Sequence, residues 1–216
     1  MTKHLVAPLL DLPLADTRHR LVEAHDFLVA CSMRALATLP QAGPSWGVQM
    51  KRLSVDLTPA PSRPAAICKG AERMGEVVNM VATLERLVAA IWWFERQPEF
   101  EALRVKECHP TTSSSTESND LVLVDAMSRV VVRCEVCDVA SSSAGSNGKE
   151  QKDIASLGCA NGIPTDGVRR FLCTSPEFAL AIQSQRRKWA KRLHRYREFP
   201  VGDHTATVLV ELVAPP

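Results

Sequence analysis

Residues 119–139 read Asn-Asp-Leu-Val-Leu-Val-Asp-Ala-Met-Ser-Arg-Val-Val-Val-Arg-Cys-Glu-Val-Cys-Asp-Val. Two β-branched runs, 120–125 and 130–139, flank a turn made of Ala126, Met127, Ser128 and Arg129. That pattern predicts two adjacent antiparallel strands. Each run carries a carboxylate that its apolar pattern does not call for: Asp120 opens the first, and Glu135 interrupts the second. An acid in a strand is costly to bury unless it is paired or holds a cation. Two acids on neighbouring strands, followed by Lys149 and Lys152, point to a divalent-metal site.

Working outward, helical spacing of apolar residues predicts helices over 14–39, with Asp16 or Thr17 as cap, and over 71–96. The region 41–64 is broken by Gly43, Pro44, Gly47, Pro59, Pro61 and Pro64, with one short strand expected at 50–57. Further strands are expected at 103–108, 169–173 and 205–213. A short helix over 149–157 ends at Gly158, and a basic helix runs from Ser175 to about Leu193. The expected fold is α/β: a central mixed sheet of four to five strands, flanked by helices, with an N-terminal helical extension. Residues 1–66 form that extension and 67–216 the α/β core. The apolar stripe of the first helix is a candidate homodimer contact.

A chain of 216 residues with 45% hydrophobic content can bury a sizeable core. No run approaches eighteen uninterrupted apolar residues, so no membrane partner is expected. Pro8, Asp11 and Pro13 interrupt the greasy N-terminus, which makes a poor secretory leader, and a cytoplasmic location follows as the expectation. Seven scattered cysteines read as reduced, buried thiols rather than a disulfide framework. The net charge of +2 is uninformative, but its distribution is not. Arg186, Arg187, Lys188, Lys191, Arg192, Arg195 and Arg197 follow one another with no acid among them, and Trp189 and Tyr196 are interleaved. That tract is a candidate grip on the nucleic-acid backbone; as a solvated face it would need no partner.

The acids and their surroundings resemble the PD-(D/E)XK nuclease superfamily, the restriction-endonuclease-like fold, over about residues 70–213. Asn119-Asp120 stands where the family has Pro-Asp, and Glu135-Val136-Cys137 where it has Glu-X-Lys. The order helix, three strands, helix, strand is similar to the family's αβββαβ core. The resemblance implies a nuclease acting on DNA phosphodiesters, with Mg²⁺ or Mn²⁺ held by Asp120, Glu135 and the Val136 carbonyl. It also implies a lysine at the position Cys137 occupies, and some members supply that lysine from the following helix. Lys149 and Lys152 stand at i and i+3 there, with Lys152 preferred. Glu76, with Glu72 second, is the candidate for the glutamate that many members take from the first helix. A catalytically inactive member, binding nucleic acid or a protein partner, is the alternative that Cys137 favours.

Each residue also has a plainer role. Asp120 can cap the preceding loop, Glu135 can pair with Arg133, and both lysines can be solvated. Cys134 and Cys137, with Cys108 and His109, offer a zinc reading. On a straight strand, however, the two thiols of Cys134-Glu-Val-Cys137 face opposite ways.

Overall fold

The computed structural model describes residues 9–39, 45–57, 71–110, 119–137, 149–159, 161–176, 179, 195–201 and 207–213. Among these the chain order is β1 (Leu9–Pro13), α1 (Leu14–Leu36), α2 (Trp46–Arg52), β2 (Ser54–Asp56), β3 (Ala71–Arg73), α3 (Met74–Phe94), β4 (Arg104–Cys108), β5 (Leu121–Val124), β6 (Val130–Cys137), α4 (Lys149–Ser156), β7 (Arg169–Thr174), β8 (Arg195–Val201) and β9 (Thr207–Val213). Seven strands form one sheet in the order β1-β4-β5-β6-β7-β9-β8, and β2 pairs with β3 separately. The β6/β7 pair is parallel, whereas the other neighbours in the large sheet are antiparallel. The protein is thus mixed α/β, and its sheet is wider than the four to five strands expected.

The extra width comes from both ends of the chain. β1 pairs with β4, so the segment expected as an N-terminal extension supplies an edge of the main sheet. β8 pairs with β9 at the other edge. The strand expected at 50–57 is instead the end of α2 followed by the short β2. The first helix starts at Leu14, earlier than a cap at Asp16 or Thr17 would allow, and the Thr17 hydroxyl donates back to the Pro13 carbonyl at 2.9 Å.

Two layers cover the sheet, and strand alternation decides what each one sees. Leu21, Ala24 and Leu28 of α1 pack with Val77, Leu84, Leu87 and Ile91 of α3, over Cys108, Leu121, Cys134, Val136 and Cys173 of the sheet. The stripe of α1 offered above for a second copy is therefore covered within the chain. Phe94 and Phe171 meet edge to face, with ring centroids 5.2 Å apart, and fix α3 over β7. α3 is long and apolar enough by composition to cross a membrane, but half of that apolar window is buried inside this fold. On the opposite face, Ile154 and Leu157 pack over Cys137, Leu172 and Val210. Gly158, at φ 77°, ends α4 with its N–H on the Ala155 carbonyl at 2.9 Å.

Candidate active site

The β5/β6 register places Leu121 opposite Cys134, so one step back along β5 sets Asp120 beside Glu135. Both acids belong to the face that α4 covers, because Leu121 and Cys134 belong to the other. Asp120 Oδ2 accepts the Val136 N–H at 2.7 Å, which ties the start of β5 to the very segment that carries Glu135. The two strands, through a register shift between Leu123 and Val124, thus bring Asp120, Glu135 and Val136 together.

Glu135 is only 6% exposed. Its Oε1 accepts the Asn119 amide N–H at 2.6 Å and lies 2.8 Å from Ser156 Oγ. The Asn119 side-chain nitrogen also donates to the Ser156 carbonyl at 3.0 Å, while its Oδ1 accepts Arg133 Nη1 at 2.6 Å. Burial pushes the Glu135 carboxyl up, and the neighbouring Asp120 charge pushes it further. The Asn119 and Ser156 hydrogen bonds oppose the rise without cancelling it, and the result is about 9. The pair of carboxyls therefore favours keeping a proton well above the ordinary carboxylate range.

The Ser156 hydroxyl is shared between two acceptors. Ser156 Oγ lies 2.8 Å from Glu135 Oε1 and 2.8 Å from the Asp153 carbonyl, yet a hydroxyl has one proton to give. A divalent cation does the proton's electrostatic work between two close carboxylates, so this arrangement can exchange a proton for a metal. The oxygen-only donors, two carboxylates and a backbone carbonyl, fit Mg²⁺ or Mn²⁺. Among the described residues no three His, Cys, Asp or Glu side chains converge as a metal-binding group, so a third side-chain ligand is not offered.

The cations are arranged differently from the acids. Lys152 is exposed on α4 and has no hydrogen bond or ion pair among the described residues. Lys149 opens α4, and its side chain lies outside the described set. Positions 149, 152, 153 and 156 form one helical stripe, and Ser156 seats the end of that stripe on Glu135. Cys137 is fully buried beneath α4, so the strand position of the resembled family's lysine is a packing position here. Glu76 lies in the first turn of α3, where it accepts the Arg73 N–H at 3.4 Å as a helix cap. Its helix packs on the sheet face opposite to Glu135.

Arg186, Arg187, Lys188, Lys191 and Arg192 lie outside the described residues. Arg195 opens β8 and Arg197 lies within it, so the end of the basic tract is an edge strand rather than a helix. The six described cysteines are buried and form no disulfide among the described residues. Cys134 packs under α3 and Cys137 under α4, and burial holds the Cys134 thiol well above its usual range, which argues against a zinc pair. Sequence reasoning missed the amide–hydroxyl set of Asn119, Arg133 and Ser156. Its only signal was polar residues at i−1 of one acid, at i−2 of the other, and at i+4 from Lys152.

Comparison with known protein families, with curated proteins and with solved structures finds no match for this chain.

Proposed function

We propose that this protein is a metal-dependent nuclease of the PD-(D/E)XK kind that hydrolyses nucleic-acid phosphodiester bonds, with DNA the first substrate to test. One observation carries the reading: Asp120 and Glu135 sit side by side at the ends of β5 and β6, and their carboxyls are electrostatically linked. Their setting supports it. The helix α3, the antiparallel run β4-β5-β6, the crossover α4 and the parallel strand β7 follow the αβββαβ order of the resemblance.

In this reading Asp120, Glu135 and the Val136 carbonyl hold Mg²⁺ or Mn²⁺. The bound ion supplies a water of lowered pKa and offsets charge on the scissile phosphate. Lys152, or Lys149 from one turn earlier, brings an ammonium from α4 toward that phosphate in place of a strand lysine. Glu76, a helix cap on α3 across the sheet from Glu135, has no part in this reading. Arg186, Arg187, Lys188, Lys191, Arg192 and Arg195 contribute backbone contacts that carry no sequence information.

Purified protein incubated with plasmid and short duplexes in Mg²⁺ or Mn²⁺ tests the proposal. Cleavage is expected and should vanish in Asp120→Ala and in Glu135→Ala; cleavage that persists in the double variant defeats it. The buried Cys137 favours a second reading, a non-catalytic module that binds nucleic acid. Salt-dependent duplex binding without cleavage, unchanged by Asp120→Asn, would select that one.

A further inference from the structure

We infer that Asn119 is a positioning residue that holds the Glu135 carboxyl and the lysine-bearing helix α4 in one fixed relation; this rests on the nuclease reading of the acids. Asn119 is 1% exposed, and its amide spans three groups. The side-chain nitrogen donates to Glu135 Oε1 at 2.6 Å and to the Ser156 carbonyl at 3.0 Å, and Oδ1 accepts Arg133 Nη1 at 2.6 Å. Chemistry sets the orientation of that amide. Arg133 has only donors to offer, so it must meet the oxygen, and the NH₂ group is left facing Glu135. A flipped amide would set donor against donor at Arg133 and place its oxygen against the Glu135 carboxyl.

The bond to Ser156 extends this control to the helix. Ser156 ends α4, where backbone carbonyls have no partner within the helix, and Asn119 satisfies one of them. The Ser156 hydroxyl meets the same Oε1 that Asn119 holds. Lys152 lies four residues before Ser156 on the same stripe, about 6 Å along the axis at ~1.5 Å per residue. Pinning Ser156 therefore sets where the ammonium of Lys152 can reach relative to the acids. Asn119 needs no contact with substrate to do this.

Calorimetric titration of the full chain with Mn²⁺, alongside urea unfolding of each variant, tests the inference. Asn119→Ala should weaken Mn²⁺ affinity by ~10–100-fold, the usual effect of removing a group that orients a metal ligand. Ser156→Ala should weaken it in the same direction and by less. An Asn119→Ala protein that is less stable yet binds Mn²⁺ as tightly as wild type would show a structural role alone and overturn the inference. Should Asn119→Ala fail to fold, Asn119→Leu, which keeps the bulk and removes every hydrogen bond of the amide, decides, and wild-type affinity in that variant also overturns it. Wild-type protein that binds no Mn²⁺, or binds it regardless of Asp120→Ala, removes the nuclease reading and this inference together. Binding lost in Asp120→Ala but kept in Asn119→Ala removes the inference alone.

Discussion

Glu135 and Cys137 project from the same face of β6, two residues apart, and α4 sets them to different work. Glu135 meets the polar end of the helix at Ser156, whereas Cys137 lies among Ile154, Leu157 and Leu172. The polar and apolar halves of one helix footprint thus divide a single strand face.

Cys137→Lys, which would restore the strand lysine, should destabilise the protein by about 3–5 kcal/mol, because it buries a charge without a partner. It should bring no gain in cleavage. Urea unfolding and a plasmid assay check both halves of this expectation, and a stable, faster Cys137→Lys enzyme would show that the helix can make room.

Glu135 also predicts how stability varies with pH. Its carboxyl is raised from 4.5 to about 9 on folding, so the folded state binds the extra proton. This contribution is complete below about 4.5 and is lost as pH rises toward 9. The slope is at most ~1.4 kcal/mol per pH unit across that window. Glu135→Gln should flatten the wild-type curve between pH 5 and 8.5, and Mn²⁺ should flatten it in the wild type; denaturant midpoints across ~pH 5–8.5 measure this.

Lys152 is exposed, so Lys152→Ala should change stability by no more than ~0.5 kcal/mol. If Lys152 supplies the ammonium, its loss should slow cleavage by about 10²-fold or more. Single-turnover rates for Lys152→Ala, Lys149→Ala and the double variant tell which lysine acts, and unchanged rates in all three would remove α4 from the chemistry.

Arg170 is buried in β7 and reaches the Leu157 carbonyl at 2.8 Å, the Val168 carbonyl at 2.6 Å and Asp166 at 2.7 Å. The Asp166 carboxyl sits at about 2, held down chiefly by its hydrogen bonds to Arg170. Arg170→Ala strands two carbonyls and should cost about 2–4 kcal/mol. Asp166 is half exposed, so Asp166→Ala should cost much less. Paired unfolding curves test the ranking.

The readable parts of this molecule were those whose signal is local. Alternation and a four-residue turn located β5 and β6, but that turn registers Val124 with Val130, and it is the register shift between Leu123 and Val124, invisible to alternation, that sets Asp120 beside Glu135. β1 gave no such signal: Leu9–Pro13 contains Asp11, at φ 54°, and a proline, and its partner β4 lies far along the chain. Met50 and Leu53 were assigned to a strand because the end of a short helix and a short strand share their apolar content. The cations from Arg186 to Arg197 read as one tract, most of it in a helix ending near Leu193, because charge carries no period. Arg195-Tyr-Arg-Glu-Phe in fact belongs to β8. The Asn119 network depends on where Ser156 falls in space, and no local pattern encodes that.

β1 has one more consequence. Its pairing with β4 joins residues about ninety positions apart, so closing that contact carries a large loop entropy and belongs late in folding. Until it forms, β4 offers an open ladder of backbone donors and acceptors two strands away from Glu135. A polypeptide begun at residue 67 would keep that ladder open, and it would be prone to self-association through the strand next to Asp120.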